Sequence, residues 1–260
     1  MTLFDSHAHY WDDKLKDASD AVLRAFFSAD GAGVVNVGTT PETSRLAAEQ
    51  ARVYPQMVTA LGIHPSDAAF LTGTPEEEIA QIRALLTDPE SKAVAVGEIG
   101  LDYHYEGYDK RLQEEYFSRQ MALAEELGLP VVIHDREAHG DCFEMVCRYP
   151  RVTGVFHSYS GSAEMAKDLI RRGWYISFSG TLTFKNAPRV REVAASLPHE
   201  RVLIETDAPY LAPHPYRGQC NHSGYVRYTC AALAEVWGLT PDETASITCE
   251  NARRLFRLPF

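Results

Sequence analysis

"EELGLPVVIH", residues 125–134, compresses the fold into one short stretch. Gly128 ends a helix, because glycine takes the left-handed backbone that closes a last turn. Pro130 cannot continue that helix, and beyond it Val131-Val132-Ile133 is a β-branched run of the kind buried on both faces of a parallel sheet. His134 then stands at the strand's C-terminal end. The same unit recurs along the chain. Strands are expected over 3–7, 33–38, 57–63, 93–98, 130–134, 153–157, 174–179 and 202–207. Helical patterns fall between them near 17–29, 42–53, 75–87, 109–127, 138–148, 162–172 and 187–196, with a longer helical tail at 221–256 broken near Thr240-Pro241. Thr74 before Pro75, followed by acids in the first turn, marks one helix start. Eight strands alternating with helices predict an α/β fold of the (β/α)8 TIM-barrel class, as a single domain over 1–260. A doubly wound open sheet is the alternative, since periodicity does not show closure.

The 260 residues are 45% hydrophobic and 23% charged, ordinary for a globular enzyme with a full core. No apolar run spans a bilayer and no basic-plus-apolar leader opens the sequence, so neither membrane insertion nor export is expected. Cys142, Cys147, Cys220, Cys230 and Cys249 are odd in number and lack metal-type spacing. They are expected as free thiols in a reducing cytoplasm. A formal net charge of −11 argues against a broad basic face that coats nucleic acid. It does not exclude a nuclease, because bound divalent cations can draw a phosphate into one pocket of an acidic body.

The groups that carry chemistry sit at the strand ends. "FDSHAHY" (4–10) places His7 and His9 on one side of a strand, with Ala8 facing away. The third strand runs into His64, the fourth into Glu98, the fifth into His134, the sixth into His157 and the eighth into Asp207. In a barrel this is the rim on which active sites are built. Unconnected core or surface histidines are the rival explanation for any one of them. Six strand ends carrying such groups are poorly explained by packing, because charged and imidazole groups are rarely buried without partners. Imidazole plus carboxylate without thiolate suits Zn, Fe, Mn or Mg. Four of these five histidines with the two carboxylates exceed one catalytic ion's needs and fit two divalent ions with a shared carboxylate.

The sequence resembles the TatD-type metal-dependent deoxyribonuclease family of the amidohydrolase superfamily. The matching stretches are "DSHAHY", "ALGIHP", "VGEIGLDYHY", "LPVVIHDREA", "FHSYSGS" and "IETDAPYLAP" followed by "PYRGQCNHS", from residue 5 to about 223. The resemblance implies that His7, His9 and Asp207 hold one metal, that His134 and His157 hold the other, and that Glu98 bridges them. It implies a metal-activated water attacking phosphorus, with Asp207 as the acceptor of its proton, and removal of nucleotides from the ends of DNA or RNA. The chain departs from the family pattern at Gln219 and Cys220, where a basic pair is common, and at His222 and Ser223. Arg217, Gly218 and Asn221 remain. The departures weaken a positive loop and leave the metal ligands untouched.

Around this set, His64 is expected to contact substrate or the attacking water, against a loop-capping role. Arg136 and Arg217 are candidate phosphate clamps, since guanidinium matches phosphate geometry, against surface ion pairing. Glu205 is expected on the same strand face as Asp207, orienting a ligand imidazole. Asp102 and Tyr103 are expected to line the pocket, and His104, His139, His199 and His214 to be solvated. The resulting expectation is a cytoplasmic two-metal hydrolase acting on single-stranded DNA ends, with Mg, Mn or Zn, no membrane and no obligate protein partner. Its rivals are a same-fold amidohydrolase cleaving a small ester, lactone or amide, and a non-catalytic metal-dependent interaction protein. Amide-cleaving relatives commonly bridge their metals with a modified lysine on the fourth strand, where this chain has Glu98.

Overall fold

Three helices begin with the same local device. Thr40, Thr74 and Thr240 each precede a proline at the first helical position and accept a hydrogen bond from the backbone N–H three residues on. The residue there, Thr43, Glu77 or Glu243, returns the bond to the threonine's own N–H at 2.8–2.9 Å. Two orphan donors are thereby satisfied at each start. Gly128 and Gly238 end helices in the left-handed region at φ 65° and 69°.

The computed structural model describes residues 1–258; the last two residues of the span expected as one domain lie outside the described residues. The strands are β1 Leu3–Ala8, β2 Gly31–Val37, β3 Met57–Leu61, β4 Ala93–Asp102, β5 Val131–Arg136, β6 Gly154–Phe156, β7 Tyr175–Phe178 and β8 Val202–Ile204. The helices are α1 Ser19–Ala29, α2 Pro41–Val53, α3 Pro75–Thr87, α4 Lys110–Leu127, α5 His139–Cys147, α6 Ala163–Arg171, α7 Pro188–Ser196, α8 Val226–Trp237 and α9 Pro241–Phe256. All eight strands lie in one sheet in sequence order, β1 to β8. A doubly wound sheet reverses its order at a switch point, so that alternative is excluded. Among the described residues, no helix is long and apolar enough to cross a membrane.

Several boundaries differ from expectation. β4 continues to Asp102 because Ile99, Gly100, Leu101 and Asp102 pair in register with Ile133 to Arg136 of β5. Gly100 permits that pairing, since a Cβ there would run into the His134 carbonyl. β8 stops at Ile204, short of Asp207, whose φ of 57° breaks the strand. The tail is two helices, and residues 221–225 precede them as loop and a 3-10 turn.

The chain divides into two compact units. The first takes residues 1–35, 157–171 and 175 onward. Its β7 and β8 pair through Ile176↔Val202 to Phe178↔Ile204. Leu3, Phe4, Phe178, Leu203, Leu233 and Phe256 are among its buried side chains. In place of a longer β8, the Asp207 N–H donates to the His7 carbonyl at 2.9 Å and the His9 N–H to the Ala208 carbonyl at 2.7 Å. These two bonds carry Asp207 alongside β1. The second unit takes residues 36–156 and 172–174 and holds β3 to β6, with Trp174 edge-on to Phe156 at 5.4 Å.

Two glutamines of α4 tie that helix to the second unit's strand ends. Gln120 accepts from the Ile63 N–H at 2.7 Å and donates to the Ile63 carbonyl at 3.0 Å. Gln113 does the same to Asp102, at 2.9 and 3.0 Å. Both side chains are buried, and each carboxamide mimics a neighbouring strand's peptide. The backbone just before His64 and at Asp102 is thereby fixed.

Candidate functional site

In the first unit, His7 and His9 project from β1 to one side, as alternation requires. Their Nε2 atoms lie 3.1 Å apart, and Asp207 Oδ1 is 3.8 Å from the first and 3.6 Å from the second. The His157 ring stacks on His7 at 4.0 Å with an 11° interplanar angle. Its Nδ1 faces Glu205 Oε1 at 3.2 Å, and the Ser158 N–H donates to the same oxygen at 2.7 Å. Glu205 therefore orients His157 as the sequence predicts, although it lies beyond β8 rather than within it. Burial raises the Asp207 pKa, but the hydrogen bond to His9 and the charges of His157, His7 and His9 outweigh that and hold it below the usual carboxylate value.

In the second unit, Glu98, Asp102 and His134 share β4 and β5. His134 sits between two carboxylates, Nδ1 2.8 Å from Glu98 Oε1 and Nε2 2.9 Å from Asp102 Oδ2. His64 Nδ1 accepts from the Ser66 N–H at 3.1 Å, which leaves Nε2 to carry the proton in the neutral ring. That Nε2 lies 3.5 Å from Glu98 Oε1. Burial raises the Asp102 pKa; His134, the His104 N–H and the His64 charge together bring it below its ordinary value. Asp102 thus holds His134, a closer role than the pocket lining expected of it. Its signal in the sequence is parity, since residues 98 and 102 fall on one face of a strand that runs that far.

Behind β1, Asp5 accepts from Thr206 N at 2.9 Å, Thr206 Oγ1 at 2.7 Å and Ser223 Oγ at 2.6 Å. Tyr10 OH donates to Ser223 Oγ at 2.7 Å. Asp5 also shares parity with His7 and His9, which is how the sequence could have disclosed it. Arg136 and Arg217 are exposed, the one with its guanidinium 5.4 Å from the centroid of the Tyr105 ring and the other 4.1 Å from that of Phe184. Among the described residues, both guanidiniums lie against aromatic rings rather than in the surface ion pairs weighed against the clamp role. Tyr103 OH donates to Asp141 at 2.7 Å and its ring stacks on Tyr108 at 4.7 Å.

His139 is half-buried rather than solvated, with Nδ1 2.8 Å from Asp135 Oδ2. The Asp135 hydrogen bond raises its pKa above the free value of 6.5 against a smaller opposing effect of burial. A raised folded pKa stabilises fully below the unfolded value and is lost as pH rises through the folded one. The stability difference between the wild type and His139→Ala is therefore expected to be largest below pH 6.5 and to shrink above it. Urea midpoints measured across that range check it; a difference that grows with pH would contradict the pairing.

The donor chemistry fits divalent cations. Within the first unit, His7, His157 and Glu205 offer ligand atoms within 4.8 Å of one another, as do His64, Glu98 and His134 within the second. Glu205 Oε2 is buried with no hydrogen-bond partner among the described residues, a vacancy that a cation satisfies. No thiolate contributes to either set, unlike the cysteine-rich ligand sets of structural zinc sites.

Comparison with known proteins agrees. The family described as "TatD related DNase" matches residues 4–257. The chain is 40% identical to the metal-dependent hydrolase YabD of Bacillus subtilis, over 98% of this chain and 99% of that one. It is 35% identical to the metal-dependent hydrolase TatD of Mycobacterium tuberculosis, over 98% of each. The solved structure of YjjV, a TatD homologue from Escherichia coli, superposes with a TM-score of 0.92 at 29% identity, covering 99% of this chain and 98% of that one. The eight-stranded order and this likeness give the fold class as the (β/α)8 barrel. With imidazole–carboxylate clusters at its strand ends and relatives matched along its full length, the chain belongs to the TatD-related family of metal-dependent hydrolases.

Proposed function

We propose that the protein hydrolyses phosphodiester bonds at single-stranded DNA ends in the cytoplasm. In this reading His7, His9 and Asp207 hold one divalent ion, His134 and His157 hold a second, and Glu98 is shared. The observation that carries it is the donor set itself, in particular a carboxylate at β4 where amide-cleaving relatives use a lysine. Bound divalent ions supply charge neutralisation for a phosphate and a lowered pKa for water. Of Mg, Mn and Zn, the imidazole-rich set suits Zn best. Asp207, held ionised, is the chain's own proton acceptor. His64 and the exposed Arg136 and Arg217 supply hydrogen bonds to phosphate oxygens. All five cysteines are free, in keeping with a reducing compartment.

An activity panel with metal-replete protein tests this. A labelled single-stranded oligonucleotide should shorten from an end faster than its blunt duplex, because opening base pairs costs energy. The net charge of −11 argues against a broad basic face for the strand, so affinity should fall gently with salt, with a slope of about one to three phosphates. Faster turnover of small esters, lactones or amides with the oligonucleotide intact would move the protein to the small-molecule branch. Cutting of a closed circular duplex at an equal rate would end the end-acting model.

A further inference from the structure

The second unit contains a cavity of about 440 Å³ that the proposed chemistry does not use. It begins at Pro65 and Ser66, next in sequence to His64, and reaches Asp102, the carboxylate that holds His134. Its remaining wall comes from the segments around Phe70 and 105–109 and from Leu112 and Gln113 of α4. Among the described residues the exposed large hydrophobic side chains are Met1, Val53, Phe70, Tyr105, Tyr108 and Tyr210, and half of them, Phe70, Tyr105 and Tyr108, line this one cavity. Phe70 is 83% exposed and Tyr105 58%. Exposed apolar groups scattered singly need no explanation; three aromatic rings gathered on one concave wall do.

The rings are prepared for a flat ligand. Tyr108 stacks on Tyr103 at 4.7 Å with 14° between the planes, and Tyr103 is held by its hydrogen bond to Asp141. Tyr108 remains 43% exposed, so this stack is open to extension. Tyr105 carries the Arg136 guanidinium 5.4 Å from its ring centroid, with Arg136 Nη1 donating to its hydroxyl at 3.4 Å. The cavity is lined by the carboxylates of Asp67, Glu106 and Asp109 and by no lysine, arginine or histidine among the described residues. Such a lining repels phosphate and admits a neutral planar group whose N–H donors meet acceptors.

We propose that this cavity is a nucleobase subsite, which seats by stacking a base of the strand whose phosphate is engaged at the neighbouring histidines and carboxylates. The assignment rests on the phosphodiesterase reading for its choice of ligand. Stacking is tolerant of sequence, because every base has a π face, so the subsite grips strands without reading them. It offsets the repulsion between this net-acidic chain and a polyanion by holding the strand through its bases. Paired bases are already stacked within the duplex and are not offered to it, which gives a preference for unpaired ends a structural origin.

The test uses a tetranucleotide with methylphosphonate linkages, uncharged and resistant to hydrolysis, and an abasic strand of the same length and linkage. Both are titrated calorimetrically into the metal-replete full-length protein. The base-bearing strand should bind about ten-fold to a hundred-fold more tightly, and Phe70→Ala/Tyr105→Ala should remove most of that preference. Both rings are exposed, and an unchanged melting temperature and circular dichroism spectrum of the variant confirm its fold. Equal affinity of the wild type for the two strands overturns the proposal, and so does a double variant that keeps the preference. Displacement of the base-bearing strand by a lysine-rich peptide that binds more tightly reassigns the cavity to a cationic peptide and likewise overturns it. Cleavage of an ordinary base-bearing phosphodiester oligonucleotide by the wild type is scored separately: its failure removes the phosphodiesterase reading, whereas loss of the base preference alone removes only the subsite.

Discussion

Glu98→Gln should lower kcat/KM by about a thousand-fold while leaving the protein folded. Glu98 is 3% exposed, and a single oxygen, Oε1, faces both His134 Nδ1 and His64 Nε2. A glutamine carbonyl oxygen can occupy that place and still accept from either ring, so the packing survives. The negative charge is lost, and an amide is a poor ligand to share between two cations. Metal content by mass spectrometry, thermal melting and hydrolysis of the best substrate from the activity panel separate these effects. Near-normal turnover with full metal loading would show that Glu98 is not shared between ions.

The second large effect falls on stability. Asp5 is completely buried and burial raises its pKa to about 6, against the lowering effect of its hydrogen bonds to Ser223 and Thr206. Asp5→Ala strips an acceptor from four donors at once, since the His7 N–H also donates to Asp5 at 3.4 Å. The two hydroxyls can turn elsewhere, but the Thr206 and His7 N–H groups cannot, and each buried donor left unsatisfied costs about 1–3 kcal/mol. A loss of about 3 kcal/mol in urea unfolding is expected, with the shift felt at Asp207 one residue beyond Thr206. A loss below about 1 kcal/mol would mean that the network is dispensable. The sign with pH is opposite to the usual carboxylate. Between the ordinary value of 3.8 and about 6 the folded state binds more protons, so stability attributable to Asp5 falls as pH rises, and Asp5→Asn should flatten that slope.

The sequence discloses what depends on one residue's place in an element. His7 and His9 are legible because alternation puts both on one side of a strand, and the capped helix starts are legible because Thr-Pro with an acid two positions on is a local motif. What it conceals depends on register and backbone conformation. The role of Asp102 follows only from β4 running four residues past Glu98, which β5 dictates through pairing. Asp207 looks like a strand residue, yet it reaches His9 because β8 ends early and residue 207 turns left-handed, supported by its bond to the His7 carbonyl. Tyr103 is expected only to line the pocket; its hydroxyl and face are engaged by Asp141 and Tyr108, and Tyr108 presents the exposed ring. His139 offers no spacing that marks it as paired, since its partner is set by the turn between β5 and α5.

The two carboxamides of α4 have a consequence for how the protein responds to its medium. Gln113 and Gln120 hold the backbone at Asp102 and Ile63 with groups that neither gain nor lose a proton anywhere in the range where histidines titrate. Salt screens ion pairs but leaves such neutral, buried bonds largely untouched. The scaffold of the second unit's strand ends is thus insulated from the variables that govern the titratable groups they carry. A change of activity with acidity or ionic strength accordingly reports on protons and charges at the reactive side chains, not on a loosening of the framework that carries them.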